Sequence, residues 1–305
     1  MLDTRQWLRT CSVIVGKQLT KKIAGGLLID KLRIKFTVEK SLRGPPNTAN
    51  ILIYNLNPAH DAQVKNEFDD VMLQSGHTRD SRVIFRGSIK YPFHYRDTND
   101  WITEIQAADG DRDYHSSIVN MTIAAGRPAE DVVDELLATM PNTRKGTIQL
   151  NPYRHLRGRV LAGSTRRVLD VFAREHGAAW SIQDGYLDIV AADAALPVEA
   201  IVVNSETGML GAPEVSGKGI KVKMLLNPQV RINGMIILDN NNIKIQALQQ
   251  YTNGPKVRDK KLIRLDPDGR YKVYKLKHEG DTRGDGSTEV ECVALGQHAP
   301  RPGGR

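Results

Sequence analysis

The sequence predicts a mainly β fold with an α/β insert, and three observations indicate this class. Apolar and polar side chains alternate in LRIKFTVE at residues 32–39, which is the period of a half-buried antiparallel strand. Similar short runs recur with Gly, Pro and Asn turn signals between them, as in sandwiches and barrels. Helical periodicity is clear only within residues 111–195. The 305-residue chain therefore divides into a first β segment (1–110), an α/β segment (111–195), a second β segment (196–300) and a short tail (301–305).

The first β segment is predicted to hold five strands and one short helix. Gly44-Pro45-Pro46 forms a loop that cannot continue a ladder, and Asn57-Pro58 ends the strand that follows it. The predicted strands are 12–16, 32–39, 50–56, 82–91 and 101–108, and the predicted helix is 59–67.

The α/β segment is predicted to contain two amphipathic helices followed by a hairpin. The second helix begins after the cap residue Ser164 and ends at Gly177. The hairpin joins strands at 180–182 and 186–190, and the pair Asp184-Gly185 between them is a strong signal for a type I′ turn. The apolar stripes of the two helices are Val132, Val133, Leu136, Leu137 and Met140, then Val168, Leu169, Phe172, Ala173 and His176.

The second β segment is predicted to return to short strands. Asn227-Pro228 and the Asp-Pro-Asp-Gly sequence at 266–269 are turn signals. The predicted strands are 218–225, 234–239, 242–250, 269–279 and 288–295. The tail 301–305 contains Pro-Gly-Gly, and we expect it to be disordered.

Composition limits the possible environments and partners. No apolar run approaches the roughly 20 residues that a membrane-spanning helix needs, and the N-terminal MLDTRQWLRT lacks the apolar core of a secretory signal. We therefore expect assembly in the cytoplasm of the producing cell, without membrane insertion. Cys11 and Cys292 are far apart and in no CxxC pair, so they are predicted to be buried free thiols. The net charge of +8 is compatible with nucleic acid or with an acidic protein as a partner, and charge alone does not decide between them.

The motifs give no recognisable catalytic or metal-binding constellation. Three alternating aspartates in ADGDRDY (108–114) resemble the start of a calcium loop, but Tyr114 and Asn120 stand where such a loop needs Gly and Glu. We therefore predict a solvated turn there. The eight histidines do not cluster, and no GxSxG elbow, P-loop or strand-linked GxGxxG motif occurs. The chain is predicted to be no enzyme and to need no cofactor or metal.

One charge feature stands out within the α/β segment. Residues 136–169 contain no acidic residue and seven basic ones. These candidate partner-docking residues are Arg144, Lys145, Arg154, Arg157, Arg159, Arg166 and Arg167. They form either a contact surface for an acidic protein or phosphates, or a solvated basic face, and both interpretations remain open.

Several phrases resemble the hub proteins of bacteriophage tail baseplates, including late-control tail proteins. Residues 32–58, LRIKFTVEKSLRGPPNTANILIYNLNP, are similar to the opening of these proteins, an alternating strand and a second strand ending in Ile-Tyr-Asn-Leu. Further similar phrases follow in order at 83–89, 107–114, 163–189 and 207–239, so the resemblance spans most of the chain. The phrase GAPEVSGKGIKVKMLLNPQVRING, at 211–234, is the most specific of these.

The resemblance implies a fold, a function and a set of partners. It implies two tail-tube-like antiparallel β-barrels flanking the α/β module, and a homotrimeric ring in which six barrels join the sixfold tail tube to the threefold central spike. The implied partners are the tube, spike and baseplate wedge proteins, with the tape measure protein as a further candidate. Double-stranded DNA would be present only in transit through the lumen, and the implied location is the tail baseplate of the virion.

Three alternatives remain open at the level of the sequence. The same architecture serves in phage-derived machines such as tailocins and secretion injectors. A basic nucleic-acid-binding protein would use the residues between Arg144 and Arg167. A cell-wall hydrolase would require a catalytic pair of carboxylates that the sequence does not reveal.

Overall fold

The computed structural model describes residues 9–17, 26–42, 46–77, 80–150, 157–216, 219–239 and 266–296. Within these ranges most residues lie in strands, and the helices are few and short. The predicted fold class, mainly β with an α/β segment between two β segments, is confirmed.

The first β segment follows the predicted order of strands around one short helix. Asn57 caps this helix, because its side-chain oxygen accepts a hydrogen bond from the Ala59 amide at 2.8 Å. All five predicted strands are present, and β2 and β5 are additional. The elements are β1 (Arg9–Gly16), β2 (Leu27–Ile29), β3 (Ile34–Ser41), β4 (Thr48–Tyr54), α1 (Pro58–Asn66), β5 (Asp70–His77), β6 (Asp80–Asp97) and β7 (Asp100–Ala108).

The α/β segment contains the two predicted helices and the predicted hairpin. The hairpin turn has positive φ at both central residues, Asp184 (56°) and Gly185 (83°), as a type I′ turn requires. The elements are α2 (Asp111–Ser116), β8 (Ile118–Ile123), α3 (Ala129–Ala138), β9 (Arg144–Gln149), β10 (Arg159–Ser164), α4 (Thr165–Glu175), β11 (Ala178–Gln183) and β12 (Tyr186–Ala191). Strands β11, β12 and β9 form one small sheet, and β8 pairs with β10 in a separate two-stranded ribbon.

The second β segment contains four of the five predicted strands. The prediction at 242–250 and the prediction of a disordered tail lie outside the described residues. The elements are β13 (Ile201–Val203), β14 (Glu214–Ser216), β15 (Gly219–Leu225), β16 (Met235–Leu238), β17 (Arg270–Asp281) and β18 (Gly286–Ala294).

One continuous sheet joins the two β segments. Its main path runs β14-β15-β18-β17-β3-β4-β7-β6-β5-β1-β2, and β16 and β13 branch from β17. The seam is the antiparallel pairing of β3 with β17, which extends from Lys35 opposite Asp281 to Ser41 opposite Lys275. An ion pair of 2.7 Å between Arg33 and Asp281 closes one end of this seam.

Each segment nevertheless has its own apolar core. Ile51 lies in the core of the first β segment, Leu136 in that of the α/β segment and Tyr271 in that of the second. Both cysteines are free, as predicted, although Cys292 is buried and Cys11 only half-buried. Burial raises the pKa of both thiols, that of Cys11 to about 12. None of the helices in the described ranges is long and apolar enough to cross a membrane.

Candidate assembly surfaces

The large sheet presents one polar face, on which charges alternate from strand to strand. Residues paired across neighbouring strands share a face, so the register defines ladders of side chains. One ladder runs Lys221, Glu291, Lys275, and the next runs Lys223, Glu289, Lys277, Glu39. Ion pairs occur along them, between Lys221 and Glu289 at 2.9 Å and between Lys275 and Glu291 at 3.3 Å. We call this surface the polar face; its charges largely neutralise one another.

The polar face includes a row of exposed aromatic side chains on β6. This strand runs past the end of β5, so among the described residues its part 90–97 pairs with β7 but with no strand on its other side. Tyr91, Phe93 and Tyr95 lie at alternate positions on the polar face, and they are 62%, 45% and 38% exposed. Large exposed aromatics beside a free strand edge are unusual for a surface in contact with water only. We call this region the aromatic edge.

One end of this sheet, at β14, has a different chemistry. Strand β14 is only three residues long, and the Met209–Leu210 segment beside it covers the edge of β15 through the hydrogen bond from the Leu210 amide to Lys223. Leu210 and Leu225 are exposed here, next to the exposed carboxylates Glu206 and Glu214. This acidic and aliphatic end, which we call the β14 edge, differs from the aromatic edge, so the sheet has two unlike edges.

Two of the predicted docking residues form ion pairs with nearby acidic residues. Lys145 forms an ion pair of 2.6 Å with Asp134 of α3, and Arg159 binds both carboxylate oxygens of Glu175 at the end of α4. Both acids lie just outside the acid-free stretch in sequence. The stretch is therefore flanked by its own counter-charges in the fold, although such exposed pairs contribute little to stability.

The remaining predicted docking residues lie at several places in the α/β segment. The guanidinium of Arg166 lies over the ring of Tyr114 at 4.7 Å, and that of Arg144 lies 5.9 Å from the ring centre of Tyr186. Arg157, just before β10, and Arg167 on α4 are exposed. Arg154 lies outside the described residues.

The net positive charge of the chain does not come from the α/β segment or from the other described residues. Residues 111–195 contain ten Lys or Arg and eleven Asp or Glu, so the α/β segment as a whole is not basic. Of the 43 basic residues, 15 fall outside the described ranges, against two of the 35 acidic ones. The described residues thus carry a net charge of −5, although the whole chain carries +8. This distribution disfavours a nucleic-acid-binding surface among the described residues.

The prediction of a solvated turn at ADGDRDY is wrong. Asp109 and Asp113 are almost fully buried, at 1% and 2% exposure, because both carboxylates satisfy hydrogen-bond donors from distant parts of the chain. Asp109 accepts from the amides of Asp184 at 2.5 Å and Gly185 at 2.9 Å. Asp113 accepts from Asn142 and from the Thr143 hydroxyl. Burial, and then the charge of Asp184, raise the pKa of the Asp109 carboxyl.

Asp109 is part of a buried polar joint between the α/β segment and the large sheet. Lys40 of β3 binds both carboxylate oxygens of Asp184 at 2.6 Å. The Asn47 amide donates to the carbonyl of Ile182 at 2.9 Å and to the side chain of Gln183 at 3.0 Å. The tip of the β11–β12 hairpin is thus held by side chains from three parts of the first β segment, and we call this cluster the hairpin joint. No local sequence pattern reveals it, because its partners are more than 60 positions apart.

A buried lysine makes a second attachment of the α/β segment. The ammonium of Lys272 on β17 donates to the carbonyls of Ala191, the last residue of β12, and of Ala194, each at 2.8 Å. The side chain is buried, so these carbonyls take the place of water around the charge. The first β segment therefore contacts the tip of this hairpin, and the second β segment contacts its base.

His278 and His176 make hydrogen bonds within the fold. His278 is buried and its Nδ1 lies 2.8 Å from the Thr288 hydroxyl. His176 ends the apolar stripe of α4, with its Nδ1 2.8 Å from the carbonyl of Phe172. Across the described ranges, no three His, Cys, Asp or Glu side chains are grouped so that they could hold a metal ion.

Comparison with known proteins places this fold among tail proteins. No protein-family model and no curated protein sequence matches the chain. Among solved structures, it is similar to the 43 kDa tail protein of prophage MuSo2 from Shewanella oneidensis, at a TM-score of 0.60 and 7% identity over 94% of this chain and 99% of that one. It is also similar to a tail protein from Neisseria meningitidis, at a TM-score of 0.61 and 9% identity over 95% and 98% of the two chains.

A third similar structure comes from a secretion machine. It is a type VI secretion system component of E. coli, described as similar to the T4 bacteriophage tail proteins gp27 and gp5, and it matches at a TM-score of 0.52 and 10% identity over 88% of this chain and 76% of that one. The chain therefore has the fold shared by phage tail proteins and this type VI secretion component, in agreement with the resemblance in its sequence.

Proposed function

We propose that this protein is the structural hub of a phage tail baseplate, a homotrimeric ring that joins the sixfold tail tube to the threefold central spike and lets the genome pass. Its partners are further copies of itself, the tube, spike and wedge proteins, and the tape measure protein. It acts in the virion and is not an enzyme. The observation that carries this proposal is the single continuous sheet with two unlike edges.

Two unlike edges are what a closed ring requires. In a ring, each copy presents one surface to the copy before it and a different surface to the copy after it. The β14 edge lies at one end of the sheet path and the aromatic edge lies on β6, with six strands between them, so the two edges can meet head to tail between neighbouring copies. Aromatic side chains on one surface and aliphatic side chains with carboxylates on the other are complementary, and such aromatics are typical of interface centres.

The polar face is the surface that we assign to the lumen of this ring. The opposite face of the sheet is covered by the apolar cores, so only the polar face can border an open channel when the sheets of neighbouring copies join. Its Lys and Glu side chains alternate and neutralise one another across strands. A lumen of this kind would neither attract nor repel DNA strongly, which suits a genome in transit.

The division of each chain into two tail-tube-like barrels, at 1–110 and 196–300, belongs to this proposal. Three chains would then supply six barrels to match the tube. The separate apolar cores of the two β segments support the division, while the seam between β3 and β17 holds the two units side by side. The same architecture in a secretion injector is the second candidate, favoured by the similarity to the type VI component.

Replacement of the aromatic edge tests the ring. The double substitution Tyr91→Ser and Phe93→Ser removes exposed side chains only, so folding should be retained. We expect wild-type protein to form trimers, alone or with the spike protein, and the double variant to remain monomeric in mass measurements by light scattering. The control Val198→Ser removes an exposed apolar side chain from a loop and should leave the trimer intact. Trimers in the double variant, or monomers of the wild type both with and without the spike, would overturn the proposal.

A further inference from the structure

The ribbon of β8 and β10 is the part of the α/β segment with the most open strand structure. Among the described residues, no third strand pairs with either of them, so residues 160–164 of β10 have no neighbouring strand on their outer side. Isolated two-stranded sheets are marginal in water and open edges readily accept another strand. One side of the ribbon packs on the core through Val119, Ile123 and Leu161.

The other side of the ribbon is exposed and carries no charge. Ile118 and Val160 are 72% and 68% exposed, the highest values among the large apolar side chains of the described ranges. The register places four small or polar uncharged residues with them on this face. These four are Asn120, Thr122, Ala162 and Ser164. Natural sheets protect such edges with Lys, Pro or inward-pointing charges, and this face has none of them.

Basic side chains flank the β10 side of the ribbon. Arg157 is exposed immediately before β10, and Arg167 is exposed in the first turns of the helix that follows it. Arg159, at the beginning of β10, is half-buried and paired with Glu175. The open strand edge, the uncharged face and the flanking arginines together define the chemistry of a binding partner. It would be an extended chain with β-branched side chains, and acidic residues would lie next to them.

We propose that β10 is the docking strand for an extended acidic segment of a neighbouring tail protein, which adds to the ribbon as a third strand. This proposal names the site by which the predicted basic residues act and rests on the proposed assembly into a tail. Main-chain hydrogen bonds to β10 supply the affinity, Val160 packs against apolar side chains of the added strand, and Arg157 and Arg167 select acidic partners. The added strand also completes a three-stranded sheet and removes the open edge.

A photo-cross-linker at Val160 tests the identity of the occupant. The variant Val160→p-benzoylphenylalanine is incorporated into assembled particles, irradiated, and the linked peptides are identified by mass spectrometry. We expect a cross-link to an acidic, β-prone segment of a different tail protein, and its loss in the additional variant Arg157→Glu with Arg167→Glu. The same label at Val198 is the control and should not link to that segment. A link only to another part of this chain, to a second copy or to no protein would overturn the proposal.

Hydrogen exchange separates this inference from the trimeric hub. The amides of residues 160–164 of β10 that point away from β8 should exchange rapidly in the free protein and become protected in the particle, whereas those of Tyr186–Ala191, buried in both, should not change. The variant Val160→Lys should keep the oligomeric state of the wild type but lose this protection. A trimeric protein whose β10 stays unprotected in the assembled particle would overturn the docking proposal alone, and a β10 protected in the particle in a protein that never forms trimers would overturn the hub alone.

Discussion

Removal of the Asp109 carboxylate should detach the β11–β12 hairpin from the large sheet. In Asp109→Ala, the amides of Asp184 and Gly185 lose their acceptor in a buried place that excludes water. Each buried donor without a partner costs about 1–3 kcal/mol, so the variant should lose about 2–6 kcal/mol of unfolding free energy. In Asp109→Asn, one amide keeps an oxygen acceptor while the other faces an NH2 group, and the expected loss is roughly half as large.

The loss should be local before it is global. Hydrogen exchange measured by mass spectrometry should show reduced protection across residues 178–191 in Asp109→Ala, with residues 270–281 of β17 as the internal reference. Urea unfolding followed by circular dichroism gives the change in free energy. The control Asp97→Ala removes an exposed carboxylate at the tip of the β6–β7 hairpin and should change stability by less than about 0.5 kcal/mol. Wild-type stability and hairpin protection in Asp109→Ala would refute our account of the hairpin joint.

Three other substitutions test the remaining buried features. Burial lowers the pKa of His278 to about 3, so below about pH 6.5 the unfolded chain binds a proton that the folded protein does not bind. The unfolding free energy should therefore fall by about 1.4 kcal/mol for each pH unit below about 6.5. In thermal melts between pH 4 and 7, His278→Gln should show a shallower fall than the wild type, and an identical slope would contradict this. Lys272→Met should lower the unfolding free energy in urea by roughly 2–5 kcal/mol, because the carbonyls of Ala191 and Ala194 lose a charged donor. Equal or greater stability of this variant would show that the desolvation cost of the ammonium outweighs its hydrogen bonds. Leu136→Ala should lower the unfolding free energy by about 2–5 kcal/mol by opening a cavity in the α/β core, a loss that a normal urea midpoint would exclude.

The sequence was informative where one local pattern decides the structure. The alternation at 32–39 predicts β3, and the Asp184-Gly185 turn predicts the β11–β12 hairpin, because a strand period and a type I′ turn depend on neighbouring residues only. Strands β13 and β14 are three residues long, too short for a period to be visible. They form because the edges of β16 and β15 are already in place beside them.

The hairpin joint could not be predicted from local sequence patterns, because the residues that form it are far apart in the chain. Asp109 sits in a sequence that is typical of a solvated loop, and only the return of the chain at Asp184 supplies donors that allow its burial. The acid-free stretch misleads for a similar reason: the carboxylates of Asp134 and Glu175 lie outside it in sequence but within reach in space. A count over the whole α/β segment, rather than over the stretch, would have revealed the near balance of charge.

The seam between β3 and β17 has a consequence for biosynthesis. Strand β3 leaves the ribosome some 235 residues before the strand that becomes its neighbour, so one edge of the growing sheet stays open through most of translation. Such a long-range pairing is slow to form and leaves the nascent first β segment able to join edges of other unfinished chains. Cells making this protein at high levels should therefore accumulate aggregates of incomplete chains that end before Arg270, and a chaperone able to shield β3 would raise the yield of soluble protein.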